Sequence, residues 1–288
     1  MEIKKAVFPV AGFGTRFLPA TKSTPKEMLP IVDKPLIQYA VEEAAEIGVE
    51  EFIFITHHAK SSIEKHFKKD EGLLSMLLKS GKEDLVKSIK DIGGKNAKFI
   101  SIDQVEPKGL GHAIGCAEQS IDDDEFFAVI LADDLIYNKG NNVLKQMKDA
   151  AFKNKKQVLA LEKVNQEDVS KFGVVSVDSS KGRVSHLNDI VEKPDIDEAP
   201  SNLAVVGRYI FNKSIFKFIG DQAGKNNEIQ ITDAIQRDIE NFIGYEFEGQ
   251  RFDCGSKVGY LKANIFHGLA NDELNKELKN YLRGISNL

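Results

Sequence analysis

The 288-residue chain is poor in several things whose scarcity is informative. It has two cysteines, Cys116 and Cys254, and no tryptophan. Two thiols are too few for a disulfide framework, so a reducing compartment, the cytoplasm, is expected. The longest apolar run covers residues 126–132, far short of the roughly 18 residues a membrane helix needs. No long apolar stretch with a small-residue cleavage site opens the chain, so a secretion signal and a membrane partner are not expected. Neither sign of charge dominates: 39 basic residues face 44 acidic ones, a net charge of −5, and no dense Lys/Arg run offers a polyanion groove. Nucleic acid is therefore not an expected partner. The six histidines lack metal-site spacing, His57 and His58 being adjacent and His66, His112, His186 and His267 scattered. Cys254 has no base spaced to activate it, which argues against a thiol nucleophile. No internal repeat or Pro/Gly/Ser linker divides the chain, so one continuous domain with an appended tail is expected.

What is present reads as a folded α/β protein, with 42% hydrophobic and 29% charged residues. Runs at 6–10, 52–56, 99–102 and 126–132 suit strands buried on both faces of a parallel sheet. Helical spacing intervenes at 35–47, with Pro35 at the first turn and Gly48 as the stop, at 61–80 and at 111–119. From about residue 157 the pattern changes: strands at 157–164, 173–177 and 202–211, with a turn cluster at 178–182, predict a mixed sheet. Helices follow at 231–241, with Thr232 as N-cap, and at 256–269, after a last strand at 245–253. The tail places Leu274, Leu278, Tyr281, Leu282 and Ile285 on one helical face that needs a partner surface.

The densest chemistry follows the first strand: Ala11-Gly12-Phe13-Gly14-Thr15-Arg16, then Pro25-Lys26-Glu27-Met28-Leu29-Pro30. Glycines after a buried strand let backbone N–H groups approach a phosphate, and Arg16 and Lys26 carry the matching charge. A dinucleotide turn would need glycine where Phe17 stands and a helix opening at once, and the P-loop Gly-Lys-Ser/Thr is absent. Asp133 and Asp134 follow the strand at 126–132, where ligands of open α/β sheets sit. A carboxylate there suits Mg²⁺, which takes one or two carboxylates and leaves positions for phosphate and water. For Asp134 a helix N-cap competes with a role at the ligand. Asp253 before Gly255 reads equally as a turn residue, Gln104 as a solvated loop side chain, and Glu192-Lys193 as a surface ion pair.

The string at 25–30 resembles the signature of the sugar-1-phosphate nucleotidyltransferases. The resemblance extends through Lys108-Gly109-Leu110-Gly111-His112-Ala113, Glu192-Lys193-Pro194, the stretches 199–204 and 227–234, and Asp253-Cys254-Gly255, spanning nearly the whole chain. It implies a Rossmann-like nucleotidyltransferase fold: a mixed, mostly parallel central sheet flanked by helices, with a small added β region and a C-terminal helical tail. The domain would cover 1–270, its nucleotide-binding part about 1–135 and its sugar-phosphate part about 136–270, with the tail at 271–288. The implied activity joins UTP and glucose 1-phosphate to give UDP-glucose and pyrophosphate. A thymidylyl-transferring relative and a non-catalytic nucleotide-sugar binder stand as alternatives. By resemblance, Ala11, Gly12, Gly14, Thr15, Glu27, Gln104 and Gly109 hold the nucleotide, and Arg16 and Lys26 hold its triphosphate. Asp133 and Asp253 bind Mg²⁺, Lys193 meets the sugar phosphate, and Asp134, Gly173 and Glu192 meet the sugar. Homodimeric or homotetrameric relatives give the tail stripe a subunit contact as its expected use. Adjacent strand residues face opposite sides, so Glu192 and Lys193 share a pocket only if the backbone leaves regular pairing near Pro194.

Overall fold

A computed structural model describes residues 2–57, 60–220 and 228–285. In the first half, β1 (Lys5–Pro9) leads through a long loop and the short ribbon β2 (Pro30–Ile31) and β3 (Lys34–Pro35) to α1 (Leu36–Glu46) and β4 (Glu51–Thr56). Then come α2 (Ser61–Phe67), α3 (Glu71–Lys79), α4 (Glu83–Lys90), β5 (Lys98–Asp103), α5 (Leu110–Gly115) and β6 (Phe126–Ile130). The second half contains β7 (Asp134–Tyr137), α6 (Val143–Asn154), β8 (Gln157–Lys163), β9 (Gly173–Lys181), β10 (Val184–Glu192) and β11 (Leu203–Asn212). It ends with α7 (Ile231–Arg237), β12 (Phe242–Glu246), β13 (Gln250–Asp253), α8 (Lys257–Ala270) and α9 (Asn275–Ile285).

Nine strands form one sheet in the order β5-β4-β1-β6-β11-β8-β12-β10-β9. Strands β5, β4, β1 and β6 run parallel, as their continuous apolar runs require, because helices cover both faces. Alternation splits each strand between two cores. Ala6 and Phe8 face Ile37, Val41, Leu144 and Met147 of α1 and α6, while Val7 and Val129 face Ile114, Ile231 and Ile235 of α5 and α7. The chain leaves β1 toward β4 on one side and returns to β6 on the other, a reversal that opens a crevice beyond the strand ends.

Strand β11 is bent. Beyond Arg208 it pairs with β6, and before the bend Ala204 pairs with Glu162 of β8 and Val174 of β9. Its pairing with β8 shifts register between Val205 and Tyr209. Buried Arg208 stabilises the bend by donating to the Leu131 and Gly207 carbonyls and to the Glu43 carboxylate.

Several expectations are corrected. The strand expected at 245–253 is two strands, β12 in the main sheet and β13 in a separate ribbon with β7, because the chain turns through Gly249 at φ 152°. The helix expected at 61–80 breaks at 68–70, where Asp70 caps α3 by accepting from the Leu73 N–H at 2.9 Å. Strand β9 runs on through 178–181, so the hairpin turn sits at 182–183 rather than across 178–182. Thr232 is not an N-cap: Gln230 holds that position, and α7 ends at Arg237. The tail helix packs Leu278 against Gly268 of α8 but leaves Tyr281 64% exposed.

Candidate active site

A cavity of about 660 Å³ lies at the carboxyl end of β6, between the bend of β11 and the ends of β9 and β10. Arg16, Asp133, Asp134, Gly173, Glu192, Lys193 and Asp253, which lie far apart in sequence, all line it.

The β7–β13 ribbon explains why Asp133 meets Asp253. Its register sets Asp253 opposite Asp134, and the Cys254 N–H donates to the Asp133 carbonyl at 2.7 Å. A methyl group placed on Gly255 would stand 3.0 Å from Asp253 Oδ1 and 3.1 Å from Asp133 Oδ2. Two carboxylate oxygens thus converge on a space that only glycine keeps open. Among the described residues no cluster of three or more metal-type side chains occurs, but Mg²⁺ is commonly held by two carboxylates plus substrate phosphates, and this donor set fits it.

Lys26 Nζ reaches Asp133 Oδ2 at 2.6 Å. Burial penalises both charges, yet their mutual attraction prevails: Lys26 is held above its ordinary lysine value and Asp133 below its ordinary carboxylate value. Gly14, at φ 64°, permits this approach, since a Cβ there would stand 3.1 Å from Lys26 Cβ. Arg16 extends over the same corner toward the Gly255 carbonyl.

Asp134 begins β7 and caps no helix, which removes that alternative. Its Oδ1 accepts from Arg251 Nε at 2.7 Å and its Oδ2 from the Gly207 N–H at 2.9 Å, so it ties the ribbon to the bend of β11. Burial pushes its carboxyl above the ordinary value against the pull of Arg251.

At the opposite wall, Lys193 adopts φ 45° and donates its N–H to the Phe172 carbonyl. This left-handed residue is the departure from regular pairing that lets Glu192 and Lys193 line one cavity. Glu192 Oε2 accepts from the Thr232 hydroxyl at 3.1 Å, and its Oε1 lies 3.2 Å from Lys193 Nζ. Gly173 admits Thr232, whose Cγ2 would stand 2.9 Å from a Cβ at that position.

The remaining expected nucleotide residues lie outside this cavity's lining, at the neighbouring ends of β1, β4 and β5. Ala11, Gly12 and Thr15 sit on the loop after β1. Glu27 is buried, its Oε2 paired at 2.9 Å with Lys60, which also donates to the Val10 carbonyl at 2.5 Å. Its Oε1 is buried without a hydrogen-bond partner among the described residues. Burial raises the Glu27 carboxyl and lowers the Lys60 ammonium from their ordinary values. Gln104 is 3% exposed and its Nε2 lies 2.7 Å from His112 Nδ1. The loop at Gly109, φ 105°, is stitched to the second half by the Ile229 N–H donating to Lys108 and the Gly111 N–H to Ile229. Asn227 and His58 lie outside the described residues.

The sequence gives no site role to Lys60, His112, Thr232 or Arg251, nor to Lys171 and Tyr209, which also line the cavity. Arg251 had a signal: residues two apart on a strand share a face, so Asp253 at the site implied Arg251 beside it. Lys60 and His112 contact Glu27 and Gln104, and no spacing foretold that. Cys254 is buried and its thiol is pushed up to about 12, chiefly by burial, in keeping with no nucleophilic role.

A crevice at the reversal of an α/β sheet, with two converging carboxylates and cations on both walls, defines an enzyme class that handles phosphate esters of nucleotides. The model of the nucleotidyl transferase family matches residues 5–268, and the chain belongs to that family. It is 42% identical to a UTP–glucose-1-phosphate uridylyltransferase of Bacillus subtilis (strain 168) over 99% of this chain and 98% of the relative. A second enzyme so named from that organism is 46% identical over 99% and 96%. Among solved structures, a UDP-glucose pyrophosphorylase complexed with UDP-glucose superposes with a TM-score of 0.86 at 46% identity, covering 93% of this chain and all of that one. A UTP-bound UGPase from Acinetobacter baumannii gives 0.90 at 41%, covering 99% and 100%.

Proposed function

We propose that this chain transfers the uridylyl group of UTP to α-D-glucose 1-phosphate, forming UDP-glucose and releasing pyrophosphate. The observation that carries this reading is the convergence of Asp133 and Asp253 on one side of the cavity, with Lys26 and Arg16 beside them and Glu192 and Lys193 on the opposite wall. Relatives and neighbours bearing the uridylyltransferase and UDP-glucose pyrophosphorylase names, alike over nearly the full length, support the substrate pair.

The chemistry needs no general base. A phosphate monoester has a second pKa of about 6 and is mostly dianionic at neutral pH. A sugar-phosphate oxygen attacks the α-phosphorus of UTP, a new P–O bond forms, and the bond from the α-phosphorus to the bridging oxygen breaks as pyrophosphate departs. What the protein supplies is position and charge. Lys193 neutralises and orients the sugar phosphate, Glu192 accepts from sugar hydroxyls, and Arg16 and Lys26 compensate the triphosphate and the leaving pyrophosphate. Asp134 and Gly173 shape the sugar pocket. Ala11, Gly12, Gly14, Thr15, Glu27, Gln104 and Gly109 form the nucleotide end, with Gln104 reading the uracil imide edge. Mg²⁺ held by Asp133 and Asp253 would supply further neutralisation of phosphate charge.

Residues 1–135 thus serve the nucleotide, 136–270 the sugar phosphate, and 271–288 form the tail. A homodimer or homotetramer is supported by the apolar side chains exposed on α8 and α9, including Val258, Leu261 and Tyr281. The two cysteines, both free, suit the reducing cytoplasm. Direct attack is tested by isotope exchange. No labelled pyrophosphate enters UTP when sugar phosphate and UDP-glucose are both absent. Exchange under that condition would require a nucleotidyl-enzyme and overturn the mechanism.

A further inference from the structure

Gln104 offers either a carbonyl oxygen or an amino group to a base, and these read opposite edges. Uracil presents an N3–H donor beside the O4 acceptor. Cytosine presents an N3 acceptor beside the N4 amino donor. An isolated glutamine accommodates both by turning its amide over, so it selects neither. Here the amide does not stand alone. Its Nε2 lies 2.7 Å from Nδ1 of His112, in the first turn of α5. The Gln104 backbone is fixed as well, its N–H donating to the Thr56 carbonyl at 2.7 Å. Oε1 makes no hydrogen bond among the described residues, although Gln104 is almost fully buried. Oε1 is not among the fully buried side-chain atoms left without a partner, so it stays open to a ligand donor.

We propose that His112 is the positioning residue that sets base selectivity: its Nδ1 accepts from the Gln104 amino group and thereby turns Oε1 toward the N3–H of the nucleobase. The inference rests on the reading of Gln104 as the base contact. It requires the neutral imidazole with its proton on Nε2, the one neutral tautomer whose Nδ1 accepts. With the amide held this way, uracil finds an acceptor for N3–H, whereas cytosine N3 meets a carbonyl oxygen and is repelled. His112 touches no reacting atom, and its contribution is an orientation that differs in value between two nucleotides.

The test is the ratio of kcat/KM for UTP to that for CTP, with glucose 1-phosphate as co-substrate, in the intact protein. His112→Ala frees the amide and lowers the ratio at least about tenfold, the size expected when one hydrogen bond to a buried partner is lost. His112→Asn places an amide oxygen close to the position of Nδ1 and restores most of the ratio. Gln104→Ala also lowers it. A ratio unchanged in Gln104→Ala would remove Gln104 from the base and the inference with it. A ratio lowered in Gln104→Ala but unchanged in His112→Ala would leave the base contact standing and overturn the role of His112. Equal losses for both nucleotides in His112→Ala would mark a merely structural histidine and likewise overturn it. Imidazole nitrogen NMR on the unaltered protein gives a readout independent of variant folding. The proton is expected on Nε2, and an Nδ1–H tautomer at neutral pH would contradict the proposal.

Discussion

Lys26 and Asp133 meet at 2.6 Å from elements 107 residues apart, and the site depends on such single contacts. Asp133→Ala removes one of two converging carboxylates from a strand terminus without opening a core cavity. Turnover should fall at least about a hundredfold while the far-UV circular dichroism stays unchanged; a near-native rate would misplace the metal site. In the proposed function, Lys193 and Lys26 serve different substrates. Lys193→Ala should raise KM for glucose 1-phosphate about tenfold and barely alter KM for UTP, whereas Lys26→Ala should show the opposite bias. Reversed effects in steady-state kinetics would exchange the two substrate ends. For Cys254, burial and a thiol pushed up to about 12 predict that iodoacetamide at pH 8 leaves it unmodified in the native protein, read by mass spectrometry, while denaturant makes it reactive. Labelling of native Cys254 would contradict the burial described.

At the scale of elements, the β7–β13 ribbon and the bend of β11 assemble the cavity. Arg251 joins them: it donates to Asp134 and Glu162 and lies 5.0 Å from the Phe172 ring centre. Arg251→Met strands two partly buried carboxylates, so urea unfolding should show a loss of about 2 kcal/mol with an unchanged slope. A midpoint equal to that of the unaltered protein would show the ribbon to be held by its apolar contacts alone. These were also the elements hardest to read from sequence. Strands β1, β4, β5 and β6 announce themselves because burial on both faces demands continuous apolar runs. Strand β10 escaped because Asn188 and Asp189 interrupt its apolar pattern, and β7 because it has only four residues. The stretch 245–253 read as one strand because nothing in its composition says that Gly249 sends the chain to another sheet. The same limit applied to the site. Its glycine loop and carboxylates were legible as motifs, but the φ of Lys193 and the partners Lys60 and His112 exist only after folding brings distant segments together.

At the scale of the whole molecule, the proposed function sets the cavity between a nucleotide part, about 1–135, and a sugar-phosphate part, about 136–270, which α8 closes and α9 follows. Leu278 packs on Gly268, yet Leu261 of α8 and Tyr281 of α9 remain 59% and 64% exposed. Truncation after Ala270 should therefore lower the solution mass measured by light scattering to that of a smaller assembly, and an unchanged subunit number would remove the tail from the contact. The proposed reaction stands or falls with the identity of the two substrates. Pyrophosphate release, measured with UTP, dTTP, CTP, GTP and ATP against glucose 1-phosphate and other sugar 1-phosphates in the presence of Mg²⁺, tests it most directly. UTP with glucose 1-phosphate should give the highest kcat/KM, with UDP-glucose formed mole for mole with pyrophosphate; a higher value for dTTP, or binding of UDP-glucose without any turnover, would contradict it.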